Sequence, residues 1–204
     1  MHKMEITKGN IISEIRHAID DIAPSITDSF TDNTDDELWQ AVQHAVGSLL
    51  MELPIDLLEP VLQENPVIRS NDWDGYIMLD DDFLRFVSLD VGGWIHPVYE
   101  LIEPGSDEEK RQSSSWGRAT EEKPKAMLTY YPEDGKRCLR YWGTNNPVVN
   151  HLLYIPMYSV ENGTISCALK EAAKPMVIYR SAAIFFEGKK DSDTADKFKN
   201  LITA

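Results

Sequence analysis

Histidine is the side chain best suited to acid–base and metal chemistry near neutral pH, and the chain contains five. They are dispersed, at His2, His17, His44, His96 and His151, with no HxH or HExxH arrangement among them. Metal sites usually draw their ligands from such short spacings. We therefore predict no metal site and no bound cofactor, and we expect His44, beside an apolar helical stripe, to be a core or interface residue.

A second candidate for metal chemistry is the acidic run Asp80, Asp81 and Asp82. Three carboxylates could coordinate Mg²⁺ or Ca²⁺, but an EF-hand loop needs further oxygen ligands at set positions and a closing glutamate, which this sequence lacks. Carboxylates that precede a strand often accept backbone hydrogen bonds. We expect the run to introduce a strand rather than to hold a cation.

The sequence contains no local motif for covalent catalysis. The chain has neither a glycine-rich phosphate loop nor a GxSxG motif. Cys138 and Cys167 lack the spacing of metal ligands and are expected to be reduced and mostly buried. A catalytic triad assembled from distant positions would leave no mark in one sequence, but we expect a protein that is not an enzyme.

The stretch 76–98, which contains the acidic run, is predicted to organise the fold. Two apolar runs, 83–89 and 94–99, flank Gly92 and Gly93. Paired glycines supply the positive φ angles of a tight turn, so the pattern predicts a β-hairpin.

Helices are predicted on both sides of this stretch, because apolar residues recur at steps of three and four. The predicted helices cover 4–22, 34–53, a short piece within 54–63, 174–186 and a short C-terminal segment. Thr34 and Glu37 fit a capping box at the start of the second helix, and Pro54 ends it. The polar segments 25–33 and 64–74 are predicted to be connections.

Further strands follow the hairpin, at 125–131, 137–142, 148–160 and 164–169. Asp134-Gly135 between the first two is a favoured hairpin turn. The polar segment 101–124 is predicted to be a long loop, with one turn of helix at most. It contains Trp116, which either folds back on its own domain or contacts a partner.

These elements predict an α+β fold in one domain, 1–204. Helices from 1–75 and 170–204 are expected to form a helical bundle, and 76–169 to form an inserted small antiparallel β-sheet with the long polar loop. Apolar residues make up 42% of the chain and charged residues 26%, as in folded soluble proteins. No apolar run is long enough to cross a membrane, and we expect no membrane partner and no signal peptide.

The net charge of the chain limits the classes of partner that it can bind. With a net charge of −14, the chain lacks the clustered cations that grip nucleic-acid phosphates. It remains compatible with an acidic surface that DNA slides past, because like charges repel.

Several residue runs, in order, resemble the head-to-tail adaptor family, or tail-tubular protein A, of short-tailed phages, including ring proteins of the crAss-like group. The runs are 36–39 (DELW), 49–50 (LL), 79–86 (LDDDFLRF, similar to L-P-x-D-F-L-R-L), 94–98 (WIHPV, similar to W-x-R-P-V), the polar loop and 123–124 (KP). Asp80 stands where the family often has proline, and His96 where it often has arginine. The resemblance covers most of the chain.

This resemblance implies a non-enzymatic structural protein at the head-to-tail interface of a virion, made in the cytoplasm of the bacterial host. It implies a homo-oligomeric ring, expected to be dodecameric, that docks on the portal protein and meets further neck and tail ring proteins. DNA would pass through the ring without sequence-specific binding. The apolar face 176–186 would suit head-to-tail contacts between copies.

Five residues are the candidates for contacts with other chains: Trp94, Trp116, Arg118, Phe198 and Leu201. The alternative function is a cytosolic hydrolase or a small-molecule-binding protein. Its site would lie among the aromatic residues of the strands, Tyr130, Tyr141, Trp142 and Tyr154.

Overall fold

The computed structural model describes residues 3–24, 33–70, 74–114, 116–146 and 148–202. Within them, α-helices combine with three small antiparallel sheets, which confirms the predicted α+β class. None of the helices in these ranges is both long and apolar enough to span a bilayer.

The strands are β1 Met4–Thr7, β2 Val61–Leu62, β3 Ile68–Ser70, β4 Asp74–Met78, β5 Phe83–Val91, β6 Lys125–Tyr130, β7 Arg137–Trp142, β8 Val149–Pro156, β9 Ser159–Glu161 and β10 Thr164–Cys167. The α-helices are α1 Lys8–Ile22, α2 Thr34–Glu52, α3 Asp107–Arg111, α4 Lys174–Gly188 and α5 Ser192–Ile202.

The chain divides into two compact units. The terminal unit consists of Met1–Glu59 and Pro156–Ala204, and the inserted unit is Pro60–Ile155. The predicted boundaries of the inserted part, 76 and 169, are therefore displaced. The inserted unit gains β2 and β3, whereas β9 and β10 belong with the helices because they form one sheet with β1.

Helix α4 is the centre of the terminal unit and packs against α1, α2 and α5. Its Val177, Ala182 and Phe186 are buried. The broad apolar face predicted at 176–186 is real, but helices of the same chain cover it. This face is consequently not available for contacts between copies.

The first helix is shorter than the predicted 4–22. Met4 and Ile6 are buried while their neighbours are exposed, the period-two pattern of a strand. They lie in β1, which pairs antiparallel with β10 in the register Ile6↔Ile165. The helical pattern starts only at Lys8, after the extended residue Thr7.

Helix α2 begins one residue earlier than the capping box predicts, with Asn33 in the cap position. Its first turn carries three acidic residues, Asp35, Asp36 and Glu37, which complement the helix dipole. The short helix predicted within 54–63 is a single 3₁₀ turn, Ile55–Leu57. The polar connection predicted at 25–33 lies outside the described residues, apart from Asn33.

The inserted unit contains a four-stranded sheet in the order β3-β4-β7-β6. Its inner face carries Ile77, Ala126, Leu139 and Tyr141, all buried. The hairpin of β6 and β7 confirms the prediction from the Asp-Gly turn, in which Gly135 has φ 68°. Strand β3 falls in the segment 64–74 that was predicted to be a loop.

The central hairpin prediction is half right. β5 forms and the chain turns at Gly92 and Gly93, but 94–99 does not form a strand. One bridge joins Leu89 to Val98 through hydrogen bonds of 2.9 and 2.8 Å. The backbone next to the turn has other partners: Trp94 N–H donates a 3.1 Å hydrogen bond to the carbonyl of Val91, and Ile95 N–H donates to the carbonyl of Glu121 at 2.9 Å. β5 shares a sheet with β8 and β2.

Candidate functional site

The long loop 101–124 is anchored at several points. Ile102 N–H donates a 2.9 Å hydrogen bond to the carbonyl of Ala126, and Ala119 N–H donates a 2.8 Å hydrogen bond to Oε1 of Gln112. Loop residues also bury a small apolar cluster: Ile102, Ala119, Met127 and Trp142. The predicted single helical turn is present as α3. The described residues of the loop are thus anchored to the inserted unit.

Trp116 projects from this anchored loop into solvent, with 98% of its surface exposed. Its backbone N–H lies 3.4 Å from Oγ of Ser114, and none of the side chains that the structure describes covers the indole. Trp116 therefore does not fold back on its own domain. A fully exposed indole on a fixed loop is suited to contact another molecule.

Arg118 lines a cleft of about 520 Å³ between this loop and the four-stranded sheet. We call it the cationic cleft. Its lining residues are Asp74, Glu109, Lys110, Gln112, Ser113, Arg118, Ala119, Arg140, Trp142 and Gly143. Three of them are cations and two are carboxylates.

The sheet side of the cationic cleft is held by an ion pair. Nη2 and Nε of Arg140 donate hydrogen bonds of 2.6 and 3.0 Å to Oδ2 of Asp74. The same guanidinium lies 4.9 Å from the ring centroid of Trp142 and 5.4 Å from that of Tyr76. These contacts fix the orientation of Arg140, and burial of Tyr76 raises the pKa of its hydroxyl.

Strand alternation explains why these residues meet. Asp74 is opposite Trp142 and Tyr76 is opposite Arg140 in the register of β4 and β7. All four side chains therefore lie on one face of the sheet, away from the core. The Asp74–Arg140 ion pair was not predicted from the sequence. The alternating patterns D-x-Y in β4 and R-x-W in β7 were the available signal, but using them requires the register of the two strands.

The acidic run forms the turn that precedes β5. Phe83 N–H donates a 3.0 Å hydrogen bond to the carbonyl of Asp80, which closes the turn before β5. The Tyr154 hydroxyl donates a 2.8 Å hydrogen bond to Oδ1 of Asp82 and lies 3.4 Å from Oδ2 of Asp80. Burial first, and then Asp82, raise the pKa of Tyr154.

No group of three His, Cys, Asp or Glu side chains placed to hold a metal ion occurs in the described ranges. The two thiols are buried, and burial raises the pKa of both Cys138 and Cys167 to about 11. Both are protonated at neutral pH and are poor nucleophiles.

The other predicted contact residues lie elsewhere. Trp94 is buried in the core of the inserted unit, edge-on to Tyr141 at 6.1 Å. Phe198 is fully buried in the terminal unit and stacks on Phe186 at 5.9 Å. Both predictions are corrected: these side chains stabilise their own units and are not at the surface. Leu201, at the end of α5, is 42% exposed.

His44 is exposed rather than part of the core. It lines a cleft of about 300 Å³ between α2 and α4, together with Ala41, Ile184 and Phe185 among others. The larger apolar residues Val42, Val46 and Leu49 of α2 are buried on the other side of the helix from His44.

The aromatic residues of the alternative function do not form one site. Tyr141 and Tyr154 are buried in apolar clusters, and Tyr130 is 66% exposed at the end of β6. Trp142 reaches the cationic cleft.

A scan against protein-family models and a search among curated proteins return no match to this chain.

Proposed function

We propose that the chain is a structural virion protein of a short-tailed phage, a head-to-tail connector that assembles as a ring on the portal protein. The ring is expected to be dodecameric and to meet further neck and tail ring proteins. The runs 36–39, 79–86 and 94–98 support the proposal through their resemblance to the adaptor family.

The observation that carries the proposal is the 98% exposure of Trp116 on an anchored loop. Burying a large apolar side chain contributes about 1.5–3 kcal/mol. This gain is unrealised in the single chain and becomes available when another chain covers the indole. The anchors at Ile102 and Ala119 reduce the backbone entropy that the loop would lose on binding.

The charge of the chain supports a channel role. A net charge of −14 in each copy makes a ring strongly acidic, and acids that face the channel would repel DNA phosphates. DNA would then pass through without sequence-specific binding.

In this proposal the helices of the terminal unit act as a helical bundle that faces the portal. Leu201 supplies an exposed apolar side chain near its C-terminal end. Phe198 contributes indirectly, because it fixes α5 against α4 through Phe186.

Native mass spectrometry of the chain, alone and with portal protein of the same phage, tests the proposal. We expect a ring, or a complex that forms on the portal, and we expect Trp116→Ser to weaken it at least tenfold. Tyr130→Ser is the matched control, because Tyr130 is an exposed aromatic residue of the same unit. A monomer that ignores the portal and binds a metabolite would contradict the proposal and favour the small-molecule-binding alternative.

A further inference from the structure

Trp116 lies in the segment 112–119, and both ends of this segment are fixed within the inserted unit. At the first end, Gln112 directly follows α3, and its backbone N–H donates a 2.9 Å hydrogen bond to the carbonyl of Glu109. At the second end, Ala119 is buried and belongs to the small apolar cluster of the loop. Trp116 is therefore presented between a helix and a buried residue.

Helix α3, which supports the first end, has a capped start. Oγ of Ser106 accepts a 3.2 Å hydrogen bond from Glu109 N–H, and Oε2 of Glu109 accepts a 2.6 Å hydrogen bond from Gly105 N–H. As in a capping box, side chains here satisfy backbone donors near the start of the helix. A helix of five residues is marginal on its own, so these bonds help to fix the position of Gln112.

The side chain of Gln112 joins the two ends of the segment. Its Nε2 donates a 2.8 Å hydrogen bond to the carbonyl of Glu108, and its Oε1 accepts a 2.8 Å hydrogen bond from Ala119 N–H. Reversing the amide would place an oxygen against a carbonyl and an N–H group against an N–H group, so both bonds need the same orientation of the carboxamide. One half-buried side chain thus closes the segment around Trp116.

The backbone after Trp116 runs close to α3. A Cβ at Gly117 would lie 3.3 Å from Cβ and 3.4 Å from Cγ of Arg111, so a side chain here would require its neighbour to shift. The bond from Gln112 then holds Ala119. The main chain beside Trp116 is therefore held against the helix, whereas the indole extends into solvent.

Holding this backbone before binding matters for affinity. A free segment loses conformational entropy when another chain captures its tryptophan, and fixing the segment in advance removes part of that cost. Large aromatic side chains on rigid supports are effective binding anchors for the same reason.

We propose that Gln112 is the positioning residue for Trp116: its carboxamide holds the segment 112–119 in the conformation in which the indole contacts a neighbouring chain. Gln112 acts through Trp116 rather than through a contact of its own with that chain. This inference rests on the proposed function, because it takes Trp116 to be a contact residue of the connector.

Fluorine NMR of the isolated full chain tests the positioning. A chain labelled with 5-fluorotryptophan gives one resonance for each of its five tryptophans, and the resonance that Trp116→Ser removes belongs to Trp116. Gln112→Met keeps the length of the side chain and removes both hydrogen bonds, so we expect the Trp116 resonance to narrow about twofold as the loop gains nanosecond motion. The resonance of buried Trp94 should keep its width.

Two further variants separate the hydrogen bond to Ala119 from a general loss of structure. Gln112→Glu keeps an oxygen that accepts from Ala119 N–H, and it should leave the Trp116 line width close to that of the unchanged chain. Gln40→Met is the matched control, because Gln40 is an exposed glutamine of α2 in the terminal unit. An unchanged Trp116 resonance in Gln112→Met, or an equal change in Gln40→Met, would overturn the inference.

A double-mutant cycle in portal binding tests whether Gln112 acts through Trp116. Gln112→Met is expected to weaken binding about fivefold, which corresponds to the net contribution of one hydrogen bond. In the Trp116→Ser chain the same change should have no further effect. An equal loss in both backgrounds would show that Gln112 acts independently of Trp116 and would also overturn the inference.

The outcomes separate this inference from the proposed function. If neither a ring nor a portal complex forms, the connector role fails, and the fluorine measurement on the isolated chain still decides whether Gln112 holds Trp116. A complex that Trp116→Ser weakens and Gln112→Met leaves unchanged would support the connector role and overturn the inference.

Discussion

The hydroxyl of Tyr154 donates a 2.8 Å hydrogen bond to Oδ1 of Asp82. This bond joins β8 to the turn that precedes β5, two segments far apart in the chain. The Tyr154 ring also stacks on Phe83 at 5.2 Å, so the turn is held by both a polar and an apolar contact. The rigidity of the acidic turn therefore has an identifiable cause.

Tyr154→Phe is expected to lower the free energy of unfolding by about 1 kcal/mol, because it removes this hydrogen bond and keeps the ring. Urea unfolding followed by circular dichroism measures the change. Tyr130→Phe, whose ring is largely exposed, should change it by less than about 0.5 kcal/mol. Equal stability of the two variants would show that the Tyr154 bond contributes nothing.

Alkaline pH is expected to destabilise the fold because two buried cysteine thiols ionise more readily in the unfolded chain. Burial raises the pKa of Cys138 and Cys167 from 9.0 to about 11 in the folded chain. Their contribution to stability is therefore complete below pH 9 and is lost as pH rises toward 11. We expect the free energy of unfolding to fall across this window, and less steeply in Cys138→Ala and Cys167→Ala chains. A flat profile from pH 8 to 11 would contradict this reading.

The thiols should also be unreactive in the native chain. At pH 8, Ellman's reagent is expected to label neither Cys138 nor Cys167 until the protein is unfolded in guanidinium, because both are buried and protonated. Rapid labelling of the native chain would indicate an exposed or activated thiol.

The sequence predicted those elements whose signals are local. The β6–β7 hairpin depends on one Asp-Gly turn, and the polar composition of 101–124 suffices for a loop with one short helix. Strand β1 was not predicted, because its four alternating residues directly precede a longer helical pattern and were assigned to that helix. That 94–99 does not form a strand depends on long-range partners such as Glu121, whose carbonyl accepts a 2.9 Å hydrogen bond from Ile95 N–H.

The same contrast between local signals and tertiary contacts holds for the candidate site residues. Aromatic type alone could not tell exposed Trp116 from buried Trp94, because both are tryptophans in polar or turn-rich surroundings and burial is decided by tertiary contacts. Predicting the cationic cleft requires the register of β4 against β7, and sequence patterns alone do not determine that register.

Gly75 is expected to be intolerant of a side chain. A Cβ at this position would lie 2.4 Å from the hydroxyl of Tyr141, whose side chain is 1% exposed, so the ring would have to shift within a packed core. Gly75→Ala should therefore lower the free energy of unfolding by about 2 kcal/mol. Gly9→Ala is the contrasting variant: nothing lies within 4 Å of its Cβ, and in α1 it should raise stability by about 0.5–1 kcal/mol. Differential scanning calorimetry of both variants measures the two opposite shifts, and a neutral Gly75→Ala would contradict the close contact.

Stability measurements should also separate the tryptophan that contacts other chains from the aromatic residues that hold the fold. Trp116→Ser is expected to change the free energy of unfolding by less than about 0.5 kcal/mol, because its side chain is already in water. Phe198→Ala should cost about 3–5 kcal/mol, since it removes a fully buried ring stacked on Phe186. Urea unfolding of the isolated chain provides both values. A loss above about 1 kcal/mol in Trp116→Ser would show that the indole packs on its own unit, and the loss of ring or portal binding in that variant would then reflect folding rather than contact.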